Sequence, residues 1–566
     1  MTERSFNLID QPWICVIDNC SGQETVVSLK ELFENVSNYK ELAGEMRSQD
    51  LAILRLLLSI LTTVYSRVDA NGNKYDWLGN GKDGWYLEDD ELDYDEIKEK
   101  LLTTWENIYE NGSFTEAVSE YLDDYHNRFD LFGEFPFYQV TGEVYDNWVP
   151  SNKKIAKGKG TVAVKQINRL ISESNNSPAI FAPETNSNKE KLSLPEFARW
   201  LITYQNFTGV TDKTKVEAKN KFSVSAGWVY SIDPVLAKGN TLFDTLMLNL
   251  VLLPLSDNGF EEQLLQHPVW EENDINNYIK GRLKASVPEN IAELYTVWSR
   301  MLHVEWTEDQ PLIFTAGLPK FSGSNAFIEP MTTWKYDKKL AEYRPNTKWI
   351  KSLGKQMWRN FGQYVATEPE EYKGEPGIVK WLNMLKDEEI LSDDFLINLE
   401  TVGLVSDGNA TSQSPAAEVY ENMCINSGVL FDKGKLTFWP KRIEDTIDLT
   451  QKVGDDFWKF ARDLGNLRRL DNASDFASLL SAKFYDNLNQ PFKNWLAELR
   501  TDQEPDVEIE KWKNQLQRII SKMGKEVLQS ASQKDIVGIS DSDGKNTTNI
   551  FTLYNRFKYF VHRDLE

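Results

Sequence analysis

The chain has 566 residues, of which 41% are hydrophobic and 27% are charged, as in an ordinary folded globular protein. With 63 Lys and Arg against 87 Asp and Glu, its formal net charge is −24, which excludes a histone-like or polybasic membrane-surface protein and limits any nucleic-acid contact to local basic patches. Three cysteines and four histidines are too few and too scattered for a disulfide scaffold, a Cys-rich zinc ribbon or an iron–sulfur cluster, so we predict no metal and no cofactor.

The first part of the chain predicts short strands and a buried helix. Residues 1–10 are polar and lack a signal-like apolar segment, so we expect a cytoplasmic protein. An alternating stretch over residues 6–14 predicts a strand and a turn at Pro12, and Ser28 is the predicted N-cap of a helix. The most apolar stretch, residues 51–64, carries Arg55 and is too short to span a bilayer, which predicts a core helix.

Two charge runs follow. Residues 88–99 contain eight acids and one lysine, which indicates either a solvated helix face or a docking surface for a basic partner. Residues 151–169 contain six basic residues and no acid, and glycines at 158 and 160 disfavour a regular helix. This basic window is either a mobile loop that meets phosphate or an ordinary exposed loop. Its basic residues are Lys153, Lys154, Lys157, Lys159, Lys165 and Arg169.

The middle of the chain alternates loops and core elements. A polar loop over residues 172–191 contains a short apolar cluster, Ala179-Ile180-Phe181-Ala182, which either anchors the loop or docks a partner chain. Residues 197–204 predict a helix that runs into a Lys-rich segment ending at residue 221. Residues 241–253 predict a core helix, the apolar spacing in residues 286–305 predicts another helix, and residues 311–330 predict a β-rich insertion.

Residues 345–365 predict an amphipathic helix with one purely basic stripe. Its basic side chains recur at intervals of three, four and four residues, while apolar residues fall on the opposite side. Because the stripe carries no acid, it indicates a phosphate-facing surface, with a solvated face as the alternative. The basic residues are Lys348, Lys351, Lys355 and Arg359.

Residues 400–415 predict a strand followed by a tight turn at Asp407 and Gly408, with a small, polar tip. Beyond residue 440 four amphipathic stretches, residues 445–470, 474–499, 506–529 and 547–562, predict a four-helix bundle. We therefore predict an α+β protein with a large mixed domain over residues 1–440 and a bundle over residues 441–566. The sequence contains no phosphate-binding loop, dinucleotide fingerprint, nucleophile elbow or zinc-protease motif, so we predict that it is not an enzyme.

Several co-linear stretches resemble one family. They are the opening Phe6-Asn7-Leu8-Ile9-Asp10-Gln11-Pro12-Trp13-Ile14, the apolar helix at 51–64, the turn Glu134-Phe135-Pro136-Phe137-Tyr138-Gln139, and Ile232-Asp233 followed by residues 241–254. Their order and spacing, together with the closing bundle, resemble the CasA family, the large subunit of the type I-E CRISPR surveillance complex Cascade.

The resemblance implies a non-catalytic role in RNA-guided defence. CasA-family proteins recognise the short protospacer-adjacent motif (PAM) in double-stranded DNA, open the neighbouring duplex so that an R-loop can start, and recruit a helicase–nuclease, while base pairing with the guide RNA reads the remaining sequence. The implied partners are the other Cascade subunits, the CRISPR guide RNA, double-stranded target DNA and the helicase–nuclease.

The family's site residues carry over by motif. The duplex wedge matches Gly408, Asn409 and Ala410, with Gln413 as the alternative to Asn409. A PAM-contacting lysine precedes a phenylalanine in the family, which matches Lys320, and the glycine-bearing loop matches Gly209. Within the apolar cluster, Ile180, Phe181 and Ala182 match the family's loop that touches the guide RNA. The zinc site of some relatives is absent, because no cysteine lies between Cys20 and Cys424.

Two other classes of function remain open at this point. An acidic protein-interaction scaffold without direct DNA contact would use the surplus of Asp and Glu. A hydrolase would need a carboxylate or serine cluster that no motif in the sequence assembles.

Overall fold

The computed structural model describes residues 4–81, 84–88, 93–157, 161–168, 191–208, 213–254, 263–307, 310–348, 353–366, 374–406, 415–434, 437–540 and 547–566. Within these residues the helices are α1 (Leu29–Glu34), α2 (Arg47–Tyr65), α3 (Tyr94–Asn111), α4 (Glu116–Asp124), α5 (Gly142–Trp148), α6 (Leu194–Phe207), α7 (Leu242–Asn249), α8 (Ile275–Arg282), α9 (Ile291–Thr296), α10 (Phe361–Tyr364), α11 (Gly377–Asp387), α12 (Ser427–Leu430), α13 (Trp439–Leu467), α14 (Ala473–Glu498), α15 (Pro505–Gln529), α16 (Gln533–Val537) and α17 (Ile550–Leu565).

The strands are β1 (Ile14–Asp18), β2 (Glu24–Val27), β3 (Tyr39–Leu42), β4 (Leu78–Gly81), β5 (Gly84–Leu87), β6 (Thr161–Val162), β7 (Val235–Lys238), β8 (Arg300–Thr307), β9 (Gln310–Gly317), β10 (Trp334–Asp337), β11 (Glu342–Pro345), β12 (Leu396–Ser406), β13 (Pro415–Asn426), β14 (Ile539–Ser540) and β15 (Thr547–Thr548). The chain divides into two compact units. The first contains Met1–Leu353, Pro376–Leu382 and Glu400–Tyr420, and the second contains Gly354–Glu375, Asn383–Leu399 and Glu421–Glu566.

The core of the first unit is built around α2, which confirms the predicted core helix. By length and composition this helix could cross a membrane, but nearly all of its side chains are buried inside the fold, as in the core helix of a soluble protein. It packs against α6 and α9. Arg55, in the middle of α2, is fully buried and pairs with Glu329 at 2.8 Å, so a charge in an otherwise apolar helix is satisfied within the core.

The sheets of the first unit are small. Strand β1 lies between β2 and β3, and Ser28 caps α1 immediately after β2, as predicted. Strand β9 lies between β6 and β8 in a second antiparallel sheet. A third sheet has the order β13-β12-β7.

The helix predicted over residues 286–305 is wrong in its second half. Helix α9 ends at Thr296, and residues from Arg300 onward form β8, which pairs with β9 from Arg300↔Gly317 to Thr307↔Gln310. The local apolar spacing fits a helix, but pairing with a distant strand overrides the local preference.

The second unit contains the four-helix bundle of α13, α14, α15 and α17. Its centre is aromatic: the ring of Phe457 lies 5.9 Å from Phe484 and 5.8 Å from Phe557, measured between centroids. The indole of Trp512 donates a hydrogen bond to Thr450 Oγ1 at 2.8 Å, so the polar edge of this buried ring is satisfied. The predicted fold class, α+β with a C-terminal four-helix bundle, is confirmed.

Candidate nucleic-acid interface

Lys320 lies just beyond the end of β9 on a well-anchored segment. Its backbone N–H donates to Ser223 O at 2.8 Å, and Ser225 N–H donates to Leu318 O at 2.9 Å. The neighbouring Phe321 is buried and packs edge-to-face against Trp228, with 5.9 Å between ring centroids. The side chain of Lys320 is exposed. The fold therefore holds the backbone at this position while leaving the amine in solvent.

Arg282, the last residue of α8, contacts the same segment. Its Nη2 donates to Pro319 O at 3.0 Å and to Trp298 O at 3.2 Å, and its guanidinium carbon lies 4.0 Å from the centroid of the Phe321 ring. Burial lowers the pKa of this arginine. The residues before and after Lys320 are thus both in contact with one buried guanidinium.

Residues 213–225, which we name the lysine loop, run alongside this segment. Gly317 N–H donates to Thr214 O at 2.9 Å, and Val216 N–H donates to Gly317 O at 3.2 Å. A Cβ at Gly317 would come within 2.5 Å of Val224 Cγ1, so the close approach of loop and strand depends on the missing side chain. The lysine loop therefore contacts the 317–320 segment both near its start and near its end.

The lysine loop carries exposed cations at Lys213, Lys215, Lys219 and Lys221. Nζ of Lys215 donates to Phe222 O at 2.9 Å and lies 5.2 Å from the centroid of the Phe222 ring, so this lysine ties the loop to itself. Sequence reasoning treated the segment only as a Lys-rich continuation of a helix. The available signal was the period of two: residues 213, 215, 219 and 221 are lysines and residue 217 is an acid.

The basic window is only partly regular. Its described part contains two 3-10 turns, Ile155–Lys157 and Val164–Gln166, and Ile155 N–H donates a hydrogen bond to Asp146 Oδ1 at 2.8 Å. Lys153 and Lys154 are half-buried, and Lys157 is exposed. After the window's undescribed part, Thr161 pairs with Phe314 of β9, so this chain segment joins the same sheet from which Lys320 follows.

The continuous basic helix predicted over residues 345–365 is wrong. Among the described residues, a turn at 353–354 precedes a 3-10 turn at Met357–Asn360 and the four-residue helix α10. Gly354 has φ +77°, a left-handed conformation that interrupts a helix. The cations also belong to different units, because Lys348 lies in the first and Lys355 and Arg359 lie in the second.

The individual cations of that stripe have separate environments. Lys348 is not free of acids: its Nζ lies 3.2 Å from Asp233 Oδ1 and donates to Thr401 Oγ1 at 2.8 Å. The guanidinium carbon of Arg359 lies 3.4 Å from the centroid of the Tyr485 ring. Burial lowers the pKa of Arg359, and burial with the nearby Arg359 charge lowers the pKa of Lys355.

The remaining predicted site residues lie outside the described residues. Strand β12 ends at Ser406 and the neighbouring β13 begins at Pro415, so the predicted wedge falls in the connection between these two strands. The residues that lie outside are Gly408, Asn409, Ala410, Gln413, Gly209, Lys159, Lys351, Ile180, Phe181 and Ala182.

Comparison with protein families decides the family. The model of CRISPR-associated protein Cse1 matches residues 7–523. The chain belongs to the Cse1 family. Its fold is similar to that of Cse1 from Thermobifida fusca, with 21% identity, coverage of 99% of this chain and 98% of that chain, and a TM-score of 0.74.

Two other solved structures share the fold. One is CasA (Cse1) from Thermus thermophilus, with 17% identity, 99% coverage of both chains and a TM-score of 0.67. The other is a chain of a CRISPR RNA-guided surveillance complex, with 14% identity, 99% coverage of both chains and a TM-score of 0.66. A search of curated protein sequences gave no match. The resemblance to the CasA family is confirmed, since CasA and Cse1 name the same protein.

Proposed function

We propose that this chain is the large, non-catalytic subunit of a type I-E Cascade complex. In this role it recognises the PAM in double-stranded DNA, destabilises the adjacent duplex to start R-loop formation, and recruits the helicase–nuclease. Its partners would be the other Cascade subunits, the guide RNA and the target duplex, in the cytoplasm. Family membership supports this proposal, as does the likeness of the fold to a chain of a CRISPR RNA-guided surveillance complex.

The observation that carries the proposal is the presentation of Lys320. Its amine is exposed, while the backbone on both sides is fixed by Ser223, Arg282 and Phe321. The minor groove presents mainly hydrogen-bond acceptors, and an ammonium group can donate to them. A fixed backbone lowers the entropy lost when the lysine side chain is ordered on a base edge.

The duplex-opening step is assigned to the connection between β12 and β13. A wedge must enter between base pairs, and unstacking one step costs a few kcal/mol. Small residues supported by two neighbouring strands suit that task, which is the reason to keep Gly408, Asn409 and Ala410 as the proposed wedge, with Gln413 as the alternative. The guide-RNA contact is likewise proposed for Ile180, Phe181 and Ala182.

The test is Lys320→Ala in a complex reconstituted with guide RNA. Binding is measured on two target duplexes that differ only in the PAM. Loss of a base contact should cost about 1–3 kcal/mol, roughly 5- to 150-fold, on the PAM duplex and little on the PAM-less one. Lys40→Ala, which removes an exposed lysine from β3, is the matched control.

Two outcomes would contradict the proposal. Equal weakening of both duplexes would make Lys320 a backbone contact rather than a PAM contact. Failure of the wild-type complex to prefer the PAM duplex would favour the acidic interaction scaffold that contacts no DNA.

A further inference from the structure

The lysine loop concentrates positive charge on a strongly acidic protein. Among the described residues, Lys213, Lys219, Lys221 and Lys320 form no ion pair, although the chain as a whole carries 24 more negative than positive charges. The one acid within the loop is Glu217. Amines without carboxylate partners are available to bind a polyanion. The local positive potential of the loop, on an otherwise acidic protein, directs a polyanion to this loop.

The lysine loop is also held in place. Glu217 N–H donates to Trp148 O at 2.7 Å, and Trp148 Nε1 in turn donates to Asn276 Oδ1 at 2.8 Å. Lys215 closes the loop onto Phe222 O, as described above. Because the backbone is already ordered, binding a phosphate chain would cost mainly the side-chain entropy of the outer lysines.

We propose that the lysine loop binds the phosphate backbone of the duplex that flanks the PAM, through Lys219 and Lys221 with Lys213 beside them. Lysine is a point-charge donor suited to phosphate rather than to bidentate reading of a base edge. Backbone hydrogen bonds join the loop to the segment that carries Lys320, so a duplex bound at Lys320 would lie next to the loop. This inference rests on the proposed function, and it adds a surface that sets affinity but not PAM preference.

The experiment compares Lys219→Ala/Lys221→Ala with Lys30→Ala/Lys40→Ala in the reconstituted complex. Both double variants change the net charge equally, and all four lysines are exposed or half-exposed. Binding is measured on PAM and PAM-less duplexes over a series of salt concentrations. Each lost phosphate contact lowers the slope of log affinity against log salt by about 0.9, so the loop variant should lose about two slope units on both duplexes while keeping the ratio between them. The control variant should keep the wild-type slope.

The results separate this inference from the proposed function. An unchanged slope in the loop variant, with thermal unfolding like that of the wild type, would overturn the loop assignment even if PAM preference persists. Weaker assembly with the guide-RNA complex, but a normal slope on DNA once assembled, would assign the loop to RNA and also overturn it. If the wild-type complex showed no PAM preference, the proposed function would be contradicted. The difference in salt slope between wild type and loop variant, measured on any duplex, would still test the phosphate contact of the loop.

Discussion

The buried ion pair between Arg55 and Glu329 is predicted to be a major determinant of stability in the first unit. Neither side chain is accessible to solvent, and the two guanidinium nitrogens donate to the two carboxylate oxygens at 2.9 and 2.8 Å. Glu329 also accepts the backbone N–H of Met331 at 3.0 Å and the indole N–H of Trp228. The guanidinium carbon lies 4.1 Å from the centroid of the Tyr295 ring. Both buried charges are therefore compensated by each other, by the hydrogen bonds of Glu329 and by the Tyr295 ring.

Glu329→Gln keeps the shape of the side chain but leaves the Arg55 charge buried and uncompensated. Breaking a buried pair by removing one charge costs about 3–5 kcal/mol, a large part of the 5–15 kcal/mol that typically separates folded from unfolded states. Replacing both partners, Arg55→Met with Glu329→Leu, removes both charges from the core. The double variant should recover most of the loss, because no charge then remains unpaired.

The measurement is urea unfolding combined with hydrogen exchange of the α2 amides. Exchange is needed because a chain with two compact units need not unfold in one transition. The expected result is faster exchange along α2 in Glu329→Gln and near-normal protection in the double variant. A loss below about 1 kcal/mol in Glu329→Gln would refute the reasoning, as would a double variant as unstable as the sum of its two single changes.

Two further changes test the surroundings of two carboxyl groups, Asp50 and Asp233. Burial raises the pKa of Asp50 to about 7, although a hydrogen bond from Gly44 N–H and the charge of the Arg47 guanidinium both act to lower it. Between about pH 4 and pH 7 the folded state therefore holds a proton that the unfolded state releases, so the contribution of Asp50 to stability falls as the pH rises through this range and is constant above it. The variant Asp50→Asn should remove up to about 4 kcal/mol of this pH dependence of the unfolding free energy. Parallel curves of unfolding free energy against pH for variant and wild type, measured by urea unfolding, would contradict the prediction. Lys348→Met should destabilise the protein by about 1–3 kcal/mol, because it leaves the buried Asp233 without the ammonium group that lies 3.2 Å from its carboxylate. The same variant should leave the salt dependence of DNA binding unchanged. A weaker salt dependence would instead show that Lys348 contacts a phosphate.

The elements predicted well are those whose contacts repeat locally. The bundle helices follow from apolar residues at helical spacing, and Phe457, Phe484 and Phe557 meet at the centre as that spacing requires. The core helix α2 follows from a long apolar run. The Arg55 within that run gave no indication of its partner, because Glu329 lies 274 residues further along the chain.

The elements predicted poorly depend on distant partners or on single backbone conformations. The basic stripe assumed a continuous helix, which the left-handed Gly354 interrupts, and it assumed no acid nearby, whereas Asp233 comes from another part of the chain. The lysine loop was missed as a site because its two-residue period is meaningful only when residues 213–225 are known to run beside β9 and the segment after it. Periodicity in one short segment does not reveal which strand it will pair with.

The alternation around position 320 has a consequence for how this surface can change over time. Phe321 packs against Arg282 and Trp228, and the carbonyl of Pro319 accepts a hydrogen bond from the same arginine, whereas Lys320 between them is exposed. Folding therefore constrains positions 319 and 321 closely, whereas at position 320 it constrains the backbone more than the side chain. Substitutions there that keep the backbone N–H bonded to Ser223 O should cost little stability, so selection for a different DNA target can act on that one side chain without first requiring compensating changes in the core.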